Sequence, residues 1–160
     1  MKEIIVEKLR SRFGEALESV SEFRGESTLV VQTGKIKDIC KFLRDDDTLR
    51  FDSLRDLCGV DYFRPHDRYE VVYNIFSIPH QFRLRVKVRV SEADLHVPTV
   101  TDVWKTAEWH ERETFDMFGI VFDGHPDLRR MYMPEDFEHY PLRKDFPLMG
   151  IPGSLPLPRK

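Results

Sequence analysis

Phe82-Arg83-Leu84-Arg85-Val86-Lys87-Val88-Arg89-Val90 alternates apolar and basic side chains without a break. Successive side chains of a strand point to opposite faces, so this stretch predicts a half-buried strand with one core face and one cationic face. Tyr69 to Ile78 reads as a second strand, and the link Pro79-His80-Gln81 is short enough to close an antiparallel hairpin. Antiparallel sheets commonly leave one face wet, so the simplest reading of the basic face is a solvated surface. A sharper reading, RNA held by Arg83, Arg85, Lys87 and Arg89, lacks interleaved aromatics on that face for base stacking.

Upstream, residues 1–20 read as an amphipathic helix, with Ile5, Leu9 and Phe13 at four-residue steps, Leu17 and Val20 continuing the face, and a weak spot at Gly14. Ser27 to Thr33 is a β-rich run ended by Gly34. Ile36, Ile39, Cys40 and Leu43 recur at helical spacing, and Asp45-Asp46-Asp47 closes that helix. The opening half therefore reads as a helix–strand–helix unit.

Downstream, Pro98-Thr99-Val100-Thr101-Asp102 has capping-box spacing and predicts a helix start. Val100, Val103, Trp104 and Ala107 would share a face continuing to Phe115 and Phe118, with Gly119 as a left-handed cap and Asp123-Gly124 as a turn. From Pro126 onward lie seven of the ten prolines, among Met131, Tyr132, Phe137, Tyr140, Leu142, Phe146, Leu148, Ile151, Leu155 and Leu157. That density forbids long helices and interior strands, yet the segment is too apolar for a solvated tail. It must lie against its own domain or a neighbour. The fold expected is α+β, with a mostly antiparallel sheet, one motif-bearing helix, a domain over 1–123 and an extended proline-rich arm over 124–160.

Composition bounds the rest. A chain of 160 residues with 41% hydrophobic and 33% charged residues is globular, neither disordered nor a membrane span. Its 25 basic against 28 acidic residues, a net charge of -3, set aside a dedicated nucleic-acid binder. Cys40 and Cys58 form no Cys-x-x-Cys pair, so neither a zinc knuckle nor a four-thiolate cluster is expected from this chain alone, and the thiols fit a reducing compartment. Charges interrupt the apolar run of Met1-Lys2-Glu3-Ile4-Ile5-Val6-Glu7, so no signal peptide is expected. No stretch approaches the ~18 apolar residues of a membrane span.

The densest polar constellation is Glu108-Trp109-His110-Glu111-Arg112-Glu113-Thr114-Phe115-Asp116. Glu108, Arg112 and Asp116 lie at four-residue intervals and would form an exposed ion-pair ladder. Glu111 falls on the apolar face and requires a partner, for which Arg129, Arg130 and His125 are the candidates. Glu111 and Glu113 point about 200° apart on a helix and cannot flank one bond as paired catalytic carboxylates. A stand-alone metal-dependent hydrolase would need His110, Glu113 and Asp116, but the His-Glu-x-x-His pattern is absent because position 114 is threonine.

Glu111-Arg112-Glu113-Thr114-Phe115-Asp116-Met117-Phe118-Gly119-Ile120, then Gly124-His125-Pro126-Asp127-Leu128-Arg129-Arg130, then Pro141-Leu142-Arg143-Lys144-Asp145-Phe146-Pro147-Leu148 occur in order. Together they closely resemble the C-subunit of bacterial NADH–quinone oxidoreductase, respiratory complex I, the counterpart of the mitochondrial iron–sulfur protein 3 subunit. Gly59-Val60-Asp61 and the basic strand fit more weakly. The resemblance implies a non-redox scaffold subunit of the peripheral arm of a proton-pumping enzyme, on the cytoplasmic face of the inner membrane. It implies no cofactor in this chain, with FMN and iron–sulfur clusters held by partner subunits. The implied partners are the hydrogenase-like D-subunit and the B-subunit that bears the terminal cluster, with membrane contact only through the complex. Glu111, Arg112, Glu113, Asp116, Gly119, His125, Pro126, Arg129, Arg130, Arg143, Lys144 and Asp145 match motif positions that the family uses for structure and for contact between subunits. His139-Tyr140 replaces the family's usual Gly-His before Pro141. Similar subunits occur in membrane-bound hydrogenases and other donor–quinone dehydrogenases.

Overall fold

The strand read from the alternation lies at the centre of the sheet, with its hairpin partner beside it. A computed structural model describes residues 1–150; Ile151, Leu155 and Leu157 of the expected arm lie outside the described residues. The elements are α1 (Lys2–Phe13), β1 (Leu17–Phe23), β2 (Glu26–Val31), α2 (Ile36–Asp45), β3 (Ser53–Asp61), β4 (Tyr69–Ser77), β5 (Phe82–Val90), β6 (His96–Pro98), α3 (Ala107–Phe118) and β7 (Val121–Asp123). The main sheet runs β1-β2-β5-β4-β3, with every neighbour antiparallel except the parallel β2–β5 pair. A separate parallel pair joins β6 to β7.

Register sorts the side chains by face. Leu57, Tyr73, Val86 and Leu29 stand in one row across four strands, and all are buried. The row one residue along, Cys58, Val72, Lys87 and Val30, belongs to the opposite, wetter face. The apolar face joins Ile5 and Leu9 of α1, Ile36, Ile39 and Leu43 of α2, and Ala107, Met117 and Phe118 of α3 in one core. Gly59 sets the approach of α3: a Cβ there would lie 2.7 Å from the Phe118 ring and 3.0 Å from Thr114. Only hydrogen fits.

Four local expectations need correction. The first helix stops at Phe13 rather than near residue 20, because Gly14 takes φ 56° and its N–H caps Arg10. Leu17 and Val20 instead lie in β1, whose tight turn to β2 uses Arg24 and Gly25 at φ 51° and 79°, the double positive φ such a hairpin needs. The opening unit is thus helix–hairpin–helix. β3 has no counterpart in the reading of periodicity. Finally, α3 begins at Ala107, not near Thr99, and the Thr99–Asp102 capping box does not form. Residues 100–104 make turns instead, with the Trp104 indole N–H donating to the Phe51 carbonyl at 3.1 Å. Gly119 does cap α3 in the left-handed conformation, φ 77°, with its N–H on the Phe115 carbonyl.

The segment after Gly124 contains no helix or strand up to residue 150. It lies on its own α+β body. What fastens it there is the set of motif residues.

Candidate functional site

Two buried aspartates fasten the arm. Asp116, on α3, has no accessible surface. One of its carboxylate oxygens accepts the Arg130 guanidinium at 2.7 Å. The other accepts three successive backbone N–H groups, from Met131 at 3.0 Å, Tyr132 at 2.7 Å and Met133 at 3.0 Å. Consecutive amides converging on one oxygen make an anion nest, here filled by the protein's own carboxylate. Burial works against the charge, but the amides and Arg130 outweigh it and hold the Asp116 carboxyl below the usual range.

Asp61, at the end of β3, does the same for the far end of the arm. Arg68 clamps it through Nε and Nη2 at 3.0 and 2.8 Å, and the N–H groups of Phe63 and Lys144 donate at 2.8 Å each. Burial again opposes ionisation, yet Arg68 and the two amides hold the Asp61 carboxyl at about 2. The remaining Arg68 nitrogen pairs with Glu92 at 2.7 Å and Asp145 at 3.1 Å. Arg143 donates to the Phe118 carbonyl at 2.7 Å and stacks on Tyr140, 4.4 Å from the ring centre. This packing covers Gly119 so closely that a Cβ would come within 2.6 Å of both Arg143 and Tyr140.

The other motif residues divide between the strap and the surface. Arg112 is buried, stacks on Trp109 and donates to the Arg129 and Arg130 carbonyls. His125 accepts from the Asp127 N–H at its Nδ1, 3.0 Å, which leaves Nε2 as donor to the Glu108 carbonyl, 3.0 Å. Glu113, Pro126, Arg129, Lys144 and Asp145 are exposed; the Lys144 contribution is its backbone amide. The expected exposed ladder of Glu108, Arg112 and Asp116 does not exist, because the arm covers the last two and takes their charges for itself.

Glu111 also departs from expectation. It is fully buried, but among the described residues no arginine bonds to it. Its oxygens accept the Thr99 hydroxyl at 2.5 Å and the Val100 N–H at 2.8 Å, tying α3 to the turn before it. Burial pushes its carboxyl up to about 7, only partly offset by those two donors. Among the described residues the buried hydroxyls of Tyr73 and Tyr69 have no hydrogen-bond partner, and burial raises the Cys40 thiol, which argues against a nucleophile. Of the arginines assigned to Glu111 from sequence, Arg130 serves Asp116 and backbone carbonyls, and Arg129 pairs with Asp127 at 2.9 Å.

The metal-hydrolase reading fails on geometry. His110 faces Asp56 of β3 at 3.8 Å, Glu113 points to solvent, and the oxygens of Asp116 are already engaged. Among the described residues no group of three His, Cys, Asp or Glu is gathered to hold a metal ion. Asp61, Arg68 and Gly59 are the fastening and packing residues that spacing alone did not single out.

Fold and site together define an α+β module with a strapped arm, fastened chiefly by Asp116 with Arg130, by Asp61 with Arg68, and by Arg112 and Arg143. The chain belongs to the respiratory-chain NADH dehydrogenase 30 Kd subunit family, which matches residues 29–152. It is 49% identical to a C-subunit of NADH-quinone oxidoreductase from Rhizobium meliloti (strain 1021), the one numbered 2, over 143 residues, 89% of this chain and 78% of that one. It is 48% identical to the C-subunit of the same enzyme from Geotalea uraniireducens (strain Rf4), covering 89% and 86%. Among solved structures it resembles a trypsin-resistant fragment of Nqo5, with TM-score 0.66 and 34% identity over 79% of this chain and 98% of that one. It also resembles a chain of an archaeal membrane-bound sulfane sulfur reductase, with TM-score 0.77 and 25% identity over 92% and 86%.

Proposed function

We propose that this chain is a structural subunit of the peripheral arm of a proton-pumping NADH–quinone oxidoreductase, without a redox centre of its own. FMN and the iron–sulfur clusters then reside in partner subunits, and the complex, rather than this chain, meets the membrane on its cytoplasmic face. Membership of the 30 Kd family supports this reading. The single observation that carries it is the use of Asp116: every contact of its buried carboxylate is with the arm, so the most polar motif builds a rigid surface instead of a reaction centre.

That surface has the composition of a docking face. Trp109 and Tyr132 are each 59% exposed, Leu142 is 54% exposed, and Leu148 is fully exposed. Aromatic anchors held by a fastened backbone lose little entropy on binding. The neighbours expected are the hydrogenase-like D-subunit and the cluster-bearing B-subunit. Among the described residues no helix is long and apolar enough to cross a membrane, so these contacts, not a span, would hold the chain to the complex.

Affinity purification of the tagged chain after mild detergent extraction, with mass spectrometry of what accompanies it, tests the reading. Stoichiometric recovery of the hydrogenase-like and cluster-bearing neighbours is expected. A chain that purifies alone from cells with a complete, active oxidoreductase overturns it.

A further inference from the structure

We propose that the wet face of the sheet, at the end bearing Arg55 and Arg83, is a second docking site, for an acidic segment of a neighbouring polypeptide. The inference rests on the structural-subunit reading but concerns the side of the sheet away from α3.

The register places Arg83 opposite Phe76 and Arg85 opposite Asn74 on the wet face. In β3 a bulge between Leu54 and Asp56 frees Arg55 from pairing and sends its guanidinium over the Phe76 ring, 4.7 Å from the centre. Three arginines thereby line one groove of about 530 Å³, floored by Phe76 and Asn74 and walled on one side by Glu26. The volume is that of a ligand pocket.

The charges of this face are unevenly satisfied. Lys87 pairs with Glu70 at 2.9 Å, Arg85 with Glu26 at 2.8 Å and Arg89 with Glu18 at 3.7 Å. Arg85 is further held by the Asn74 side chain at 3.2 Å, which fixes the middle of the groove. Arg55 and Arg83 are exposed, and among the described residues neither has a carboxylate partner. On this face the cations without a carboxylate thus lie together at one end of the sheet. Apolar surface adjoins it: Phe23, opposite Glu26 in the hairpin, is 73% exposed, and Ile78, just past β4, is 52% exposed. Two free guanidinium forks beside a held third one suit carboxylates, and the flanking apolar residues suit an aliphatic or aromatic side chain between them. Glu26 in the wall and the acidic surface elsewhere disfavour a polyphosphate backbone.

The test uses the assembled complex. Arg55→Lys/Arg83→Lys keeps both charges and supplies amines, which a carbodiimide joins only to carboxylates in contact. Mass spectrometry is expected to find an amide bond from position 55 or 83 to an Asp or Glu of another polypeptide. Arg55→Glu/Arg83→Glu, at exposed positions that leave the fold intact by melting temperature, should lower retention of that same polypeptide roughly tenfold or more, because like charges then face each other. Cross-links only within the chain, to Glu26 for example, or none at all, in a complex that still contains the other peripheral subunits, overturn the groove and leave the structural-subunit reading standing. RNA recovered at the groove also overturns it. A chain recovered alone overturns both readings.

Discussion

Glu111 is expected to make the stability of this protein fall as pH rises through neutrality. In the folded chain its carboxyl sits at about 7, against an ordinary value of 4.5, because burial, outweighing the Thr99 and Val100 donors, penalises the charged form. The folded state therefore holds this proton more tightly than the unfolded state. Its contribution is complete below pH 4.5, declines above it, and is lost as pH passes 7. At about 1.4 kcal/mol per pKa unit the whole span is worth roughly 3 kcal/mol, of which roughly 2–3 kcal/mol falls between pH 5 and 8. Urea unfolding followed by far-ultraviolet circular dichroism at unit pH steps measures it, and the midpoint of the wild type should drop by about 1–2 M across that range. Glu111→Gln keeps an acceptor for the Val100 N–H and turns its other atom into a donor that the Thr99 hydroxyl oxygen can accept, but it cannot ionise. Whatever its absolute stability, its midpoint should lose that slope. The same slope in both proteins would refute the assignment of this titration to the buried Glu111 carboxyl.

Asp116→Asn should cost roughly 3 kcal/mol or more, since it leaves Arg130 without its buried partner, and amide exchange over residues 127–146 should accelerate while that of β4 and β5 does not. The two arm-fastening carboxylates respond to acid in the opposite sense to Glu111. Asp61 is held at about 2 and Asp116 below its ordinary value, so their contribution is present above about pH 4 and lost as pH falls toward 2. Pepsin should accordingly cut within the arm before the core as the pH is lowered. Gly59→Ala sets a methyl 2.7 Å from the Phe118 ring and should destabilise by about 1–3 kcal/mol, read as a lower melting temperature.

What the sequence revealed, and what it hid, follows from the range of each interaction. β5 was legible because alternation is a local consequence of burying one face, β4 because an apolar β-rich run adjoins it across a short link, and Gly119 because a left-handed cap needs a glycine. β3 was hidden because the bulge at Arg55 breaks its alternation and Gly59 gives no hydrophobic signal on the face it presents to α3. The need of Glu111 for a partner could be read from its place on the helix. Its actual partners, a hydroxyl and an amide of a preceding turn, carry no charge signature. Arg130 was singled out but assigned to the wrong carboxylate, because only the path of the arm brings it to Asp116. Asp61 and Arg68 flank an irregular loop, where no periodicity announces that they will meet.

The most direct test compares turnover per assembled complex with the amount assembled, for Asp116→Ala/Arg130→Ala against wild type. With the strap unfastened, the share of this chain found in the peripheral arm on a native gel should fall steeply, while the complexes that do form pass electrons from NADH to quinone at the normal rate. Full assembly with abolished turnover would mean that these charges serve the reaction itself, and would contradict the structural role derived from their contacts.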